Sequence, residues 1–152
     1  MKYDQIAITY LRQLTESTVT IHPATDSDIP DVLQLEKQFP NNVWRNASSF
    51  QKPDHQLHVA KSGNKTVGYI LTRKEPDSTL IVKMLTDQKA RGTGIGGMML
   101  DHVINQGNPL SLNVRSHNDS AISLYKSKGF RIAETRPGYY SNGDDALHMR
   151  TD

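Results

Sequence analysis

The stretch Arg91-Gly92-Thr93-Gly94-Ile95-Gly96-Gly97 constrains this chain more than any other. It puts four glycines into six residues, between the apolar run Leu80–Leu85 and a helical pattern from Ile95 to Gln106. A glycine turn between a strand and a helix leaves main-chain N–H groups uncovered at a helix N-terminus. Such a turn is a site for an anion, most often a phosphate.

The elements around the turn read in a mixed order. Thr18–His22 alternates like a strand, and Thr25-Asp26-Ser27-Asp28 offers N-cap residues for an amphipathic helix carrying Ile29, Val32, Leu33 and Leu35. Residues 40–53 form a polar loop or short helix with Trp44 and Phe50 in it. Leu57–Lys61 and Thr66–Leu71 make an antiparallel hairpin across Ser62-Gly63-Asn64-Lys65. A strand over residues 79–85 follows, then the glycine turn and its helix, which Asn108-Pro109 stops. Leu110, Leu112 and Val114 alternate in a strand, and Asn118-Asp119-Ser120 caps a helix that presents Ala121, Leu124, Tyr125 and Lys128 on one face. Phe130–Ile132 and Ala146–Met149 close the chain as strands. A short helix is predicted ahead of all this, over residues 1–16, from the spacing of Ile6, Tyr10, Leu11 and Leu14. Capping the sheet and forming a homodimer both fit that segment.

The 152 residues suffice for one domain with a real core. A net charge of +2 without any basic block gives no indication of a nucleic-acid partner. No apolar stretch approaches the ~18 residues of a membrane span, and the N-terminus lacks a signal-peptide core, so the chain reads as cytoplasmic. It contains no cysteine, which excludes disulfides, cysteine–zinc sites and a thiol nucleophile. The six histidines are scattered; only His55 and His58 lie close in sequence, without a third ligand beside them, so no metal is expected.

The turn can be parsed twice. Gly92-x-Gly94-x-x-Gly97 fits the dinucleotide pattern G-x-G-x-x-G, with Asp119 about 20 residues further on. Against that parse, residues 86–91 separate the strand from the first glycine, and the antiparallel material precedes the motif. Too little chain then remains for the further strand–helix units of such a fold. The second parse, Arg91-x-x-Gly94-x-Gly96, resembles the R/Q-x-x-G-x-G/A motif of the GCN5-related N-acetyltransferase (GNAT) superfamily. Downstream, Val114 and Asn118 through Ala121, Leu124-Tyr125 and Gly129-Phe130 resemble the family's second signature, V-x-x-x-N-x-x-A-x-x-L-Y-x-x-x-G-F. Upstream, Ile21–Asp28 resembles its opening strand and turn, with His22 where arginine is usual. The resemblance covers residues 18–150 in order.

It implies an α+β, three-layer α/β fold with a mixed, mostly antiparallel central sheet flanked by helices, over residues 17–152. It also implies acetyl-CoA as cosubstrate and direct attack of an amine on the thioester. The residues it would place on the cofactor are Leu85, Thr86, Arg91, Gly92, Thr93, Gly94, Ile95, Gly96, Gly97, Asn118, Ala121, Tyr125 and Lys128. In the family a strand bulge near Leu85 or Thr86 turns a main-chain N–H toward the thioester oxygen, and the tyrosine matched by Tyr125 protonates the leaving thiolate. Read without the motif, Tyr125 is a core aromatic on a helix face and Asn118 a plain N-cap.

Arg136-Pro137-Gly138-Tyr139-Tyr140 ahead of Asp144–Met149 resembles the branch that acetylates protein N-termini, notably of ribosomal proteins. The stretch from Glu36 to Trp44 resembles that branch's substrate-side loop. Trp44, Asn113, Tyr139 and Tyr140 are the candidates for the acceptor site. The branch often has a glutamate where this chain has Asn113, and an amide takes no proton at neutral pH. Glu36, Asp87, Glu134 and His117 are the replacement bases the sequence offers. A peptide α-amine, with a pKa of about 7.7–8.0 against about 10.4 for lysine, needs the least help from a base. If position 113 governs deprotonation, Asn113→Glu raises activity or moves the pH profile downward. A lysine or small-amine acceptor, and a CoA-binding module without strong catalysis, remain open alternatives.

Overall fold

The structure, a computed structural model, describes residues 19–39 and 46–152. The expected N-terminal helix and Trp44 lie outside the described residues. The strands are β1 (Val19–Pro23), β2 (His55–Ser62), β3 (Lys65–Lys74), β4 (Thr79–Thr86), β5 (Leu110–Arg115), β6 (Arg131–Arg136) and β7 (Ala146–Arg150). The helices are α1 (Ile29–Glu36), α2 (Ile95–Ile104) and α3 (Asp119–Ser127). One seven-stranded sheet runs in the order β1-β2-β3-β4-β5-β7-β6, antiparallel at every contact except β4 against β5.

Two apolar clusters sandwich this sheet. On one face Ile29, Val32 and Leu35 of α1 pack with Phe50 against Leu57, Val59, Tyr69 and Leu71. On the other, Ile95, Met99, Leu100 and Val103 of α2 and Ile122 of α3 cover Ile70, Ile81, Leu112, Val114 and Met149. β3 is covered on both sides and therefore reads as an unbroken buried run from Thr66 to Thr72 rather than an alternating one. The start of α1 is set by a reciprocal cap: Thr25 N–H donates to Asp28 Oδ2 at 2.8 Å, and Pro30 stands in the first turn where its missing N–H costs nothing. α2 ends at Ile104, before Asn108-Pro109 is reached, because three-residue bonds from Gln106 and Gly107 tighten its last turn.

The parallel pair is the feature that makes a site. β4 and β5 are joined only through Thr79–Leu110, Leu80–Ser111 and Ile81–Leu112. Beyond these pairs the strands separate, and Val82–Thr86 and Asn113–Arg115 flank an opening in the sheet. The register of β4 against β3 shifts between Ile81 and Lys83, which leaves Val82 as an extra residue. This bulge lies three to four residues before the expected position at Leu85 or Thr86, which pair regularly with Tyr69 and Gly68. A bulge bends its strand, and here the bend falls where β4 must leave β5 while staying on β3.

Candidate active site

Main-chain donors line the opening. Asp87 N–H donates to Val67 O at 2.8 Å, which puts that pair in the bonded class of the ladder. Antiparallel alternation then gives Leu85 a bonded pair with Tyr69 and leaves Met84 and Thr86 in the unbonded class. The N–H groups of Met84 and Thr86 therefore face the gap toward β5, whereas that of Leu85 is used on β3.

The glycine turn forms one mouth of the opening. Asp87 Oδ1 accepts from Lys89 N–H (3.0 Å) to start a short 3-10 turn over Gln88–Ala90, and Thr93 Oγ donates to Ala90 O. Gly92 and Gly94 have φ of 80° and 85°, and nothing lies within 4 Å of where a Cβ would stand. The left-handed backbone, not crowding, is what demands glycine there. At Gly96 a Cβ would meet Met84 Cε at 3.7 Å, Leu124 Cδ2 at 3.8 Å and Thr86 Oγ1 at 3.9 Å. That glycine keeps open the groove between β4, α2 and α3. At Gly97 it would stand 3.6 Å from Lys128 Nζ, and that ammonium lies 2.9 Å from Asp101 Oδ1. The uncovered turn, the start of α2 and the Lys128 cation together suit a phosphate. The Arg91 guanidinium stacks 5.2 Å over the Phe39 ring and ties the turn to the chain leaving α1.

Tyr125 and Leu124 of α3 pack at the edge of the second cluster, with the Tyr125 ring 5.8 Å from Phe130. Burial raises the Tyr125 phenol above its ordinary pKa, and the nearby Tyr140 adds to this. The group therefore keeps its proton at neutral pH, as an acid must. Asn118 is the N-cap of α3: its Oδ1 accepts from Ala121 N–H at 3.3 Å. Ala121 itself packs partly buried against the core.

On the α1 face, Asn113 stands next to Leu112, the last residue of β5 paired with β4, at the lip of the opening. Its Oδ1 accepts from Arg136 Nη1 (3.2 Å) and meets His148 Nδ1 (2.9 Å), and its Nδ2 donates to Tyr139 Oη (3.4 Å). The loop between β6 and β7 is held over this spot. Asp145 Oδ1 accepts from Gly138 N–H at 2.9 Å, Asp144 takes His117 Nε2 at 3.1 Å, and Arg115 stacks 3.9 Å over the Tyr140 ring. The expected acceptor residues Asn113, Tyr139 and Tyr140 thus come together at one mouth, and Tyr125 approaches from the opposite face.

The four bases offered by the sequence have diverse settings. Glu36 is buried, accepts from Tyr69 Oη, and pairs with Lys83 Nζ at 2.8 Å; burial raises its pKa against the pull of that ammonium. Burial also acts to raise Asp87, but bonds from Lys89 N–H and Gln38 outweigh it and hold the carboxylate charged as a cap. Glu134 is exposed, and its bond to Arg136 at 2.7 Å lowers its pKa. His117 is exposed and tied to Asp144. His148, which the sequence shows only as one of six histidines, bonds Asn113 beside Arg136 and Tyr139.

A parallel pair splayed around inward main-chain donors, with a glycine turn suited to phosphate at one mouth and a polar pocket at the other, suits a transferase that takes an acyl group from a phosphate-bearing carrier. The chain belongs to the GNAT acetyltransferase family, whose acetyltransferase (GNAT) domain matches residues 23–152, and it is an N-acetyltransferase. It is 32% identical over 146 residues to N-alpha-acetyltransferase RimI of Mycobacterium tuberculosis, covering 88% of this chain and 92% of that protein. The crystal structure of the ribosomal-protein-S18-alanine N-acetyltransferase from Escherichia coli superposes with a TM-score of 0.79 at 26% identity, over 87% of this chain and 92% of that one. Arabidopsis thaliana Naa50 in complex with the bisubstrate analogue CoA-Ac-MVNAL shares the fold, with a TM-score of 0.75 at 24% identity over 89% and 99% of the two chains. The dinucleotide parse of the glycine turn is thereby set aside.

Proposed function

We propose that this enzyme moves the acetyl group of acetyl-CoA to the α-amine of a protein or peptide N-terminus. The observation that carries the reading is the opening between β4 and β5, with the glycine turn on one side and Asn113, Tyr139 and Tyr140 on the other. The residues fit the cofactor: the start of α2 and Lys128 for its pyrophosphate, the groove over Gly96 for its thiol arm, and the N–H of Met84 or Thr86 for the thioester oxygen. Bound there, the cofactor supplies an acetyl thioester. Tyr125 gives its proton to the departing thiolate. The chain has no cysteine, so the amine attacks the thioester directly. The names of the M. tuberculosis and E. coli relatives support an α-amine acceptor.

The test is thiol release from acetyl-CoA with a panel of free-N-terminus peptides and matched peptides whose only amine is a lysine. The expected result is turnover with the α-amines. Preference for lysine peptides, or ping-pong initial rates, would overturn the reading.

A further inference from the structure

His148 and Asn113 face each other across β5 and β7, and their chemistry fixes one proton. Arg136 only donates hydrogen bonds, so the Asn113 atom it touches at 3.2 Å is the oxygen. The same oxygen lies 2.9 Å from His148 Nδ1. An oxygen that already accepts cannot donate, so Nδ1 carries the hydrogen of this bond. In the neutral ring, Nε2 is then left with a lone pair. Among the described residues Nε2 makes no hydrogen bond, and it is not sealed from water. His148 is 8% exposed and shares with Asn113, Tyr139 and Arg136 the wall of a cavity of about 310 Å³ on the α1 face.

We propose that His148 takes the proton of the acceptor amine at Nε2, directly or through one water, and that Asn113 is its positioning residue. The proposal rests on the α-amine reading above. In the step, His148 Nε2 takes one proton from the α-ammonium, the lone pair so freed forms the C–N bond and the C–S bond breaks. The thiolate takes the Tyr125 proton, the proton that nitrogen loses on forming the amide passes through water to restore the Tyr125 phenol, and His148 gives its proton to water. An amide at 113 suits this role, because it orients the imidazole without adding a negative charge that would hold it as imidazolium. The charged groups around the ring act in the same sense. Burial lowers its pKa first, then Arg136 of β6 and Arg150 of β7, with Glu134 of β6 opposing. Arg73 of β3 and Glu75 and Asp77 of the β3–β4 turn stand across the cavity. The ring is therefore neutral at pH 7, with a lone pair at Nε2.

The experiment measures kcat/KM against pH, from 6 to 9.5, with acetyl-CoA and the fastest α-amine peptide. His148→Gln is expected to lose ~10²-fold near pH 7. The loss narrows to under ~10-fold above pH 9, where the peptide amine is already neutral, and acetyl-CoA affinity is unchanged. A wild-type rate and profile in this variant overturns the proposal. Asn113→Asp is near-isosteric and puts a carboxylate beside His148 Nδ1, which raises the imidazole pKa. The acid limb of its profile is expected to move to higher pH. An unmoved limb, or one moved down because the new carboxylate is itself the base, overturns the assignment of His148. Wild-type enzyme that turns over no α-amine peptide overturns both the acceptor reading and this one, and so differs from failure of the base alone.

Discussion

Alanine at Gly96 separates the folding of the glycine turn from its binding role. Gly96 stands in the first turn of α2, and an added Cβ finds ordinary contacts at 3.7–3.9 Å with Met84, Leu124 and Thr86. Nothing clashes, and the helix loses its least favourable residue type after proline. In the first turn the gain is at most the helix-interior figure of about 0.5–1 kcal/mol, and at ~2–4 °C per kcal/mol for a chain of this size it raises the apo Tm by up to about 4 °C. The same methyl narrows the groove that the thiol arm of coenzyme A would occupy. With ligand at 100 times its Kd the wild-type enzyme gains about 2.7 kcal/mol, and a tenfold weaker variant gains only about 1.4 kcal/mol under the same conditions. The two melting curves should therefore change order: the variant melts higher without CoA, and the wild type equals or exceeds it with CoA. Differential scanning calorimetry with and without CoA, backed by titration calorimetry, reads both. A variant that keeps the full CoA increment would refute the assignment of the groove, and a lowered apo Tm would refute the packing reasoning. Gly94→Ala is the control of opposite sign. Its φ of 85° costs an L-residue roughly 1–2 kcal/mol, so the apo Tm falls although no atom is touched.

Further tests bear on the acid, the buried pair and the loop. Tyr125→Phe should lower kcat by ~10²-fold, the lower end for loss of a general acid, while CoA affinity holds within a factor of two or three; equal losses in both would make the ring a packing element only. Burial raises the folded pKa of Glu36, so its stabilising contribution is complete at acid pH and is lost as pH climbs from the usual carboxylate range through the raised value. Glu36→Gln removes that titration, so its Tm relative to wild type should rise as pH climbs above the ordinary carboxylate range; a flat or falling difference contradicts the sign. Asp145→Ala deletes the acceptor for Gly138 N–H at 2.9 Å and frees the loop that carries Tyr139 and Tyr140. It should raise the peptide KM more than it changes that for acetyl-CoA, and an unaltered peptide KM would disconnect the loop from the acceptor.

What the sequence disclosed was local. Gly92 and Gly94 adopt left-handed backbone because of their own residue type, and the Asn118 cap lies three residues from the N–H it holds. Both were legible as motifs. The bulge at Val82 was misplaced because a bulge is a property of register: β4 has an extra residue only relative to β3, and no residue type at 82 announces it. His148 was overlooked for the same kind of reason. It is 35 positions from Asn113, and only the antiparallel pairing of β5 with β7 sets them opposite. The helix boundary at Ile104 depended on how the last turn tightened, whereas Asn108-Pro109 marked only the outer limit.

The three-rung junction between β4 and β5 makes the sheet two panels hinged along a short seam. One panel is the meander β1–β4 under α1; the other is β5, β7 and β6. Nothing in the ladder stops the panels from spreading past Ile81 and Leu112. A ligand lying in the gap, bonded to the N–H of Met84 or Thr86 on one side and to β5 on the other, would act as a removable cross-strand rung. Amide hydrogen exchange should then slow on both panels at once when the cosubstrate binds, so that the two panels are bridged across the gap only while the molecule is loaded.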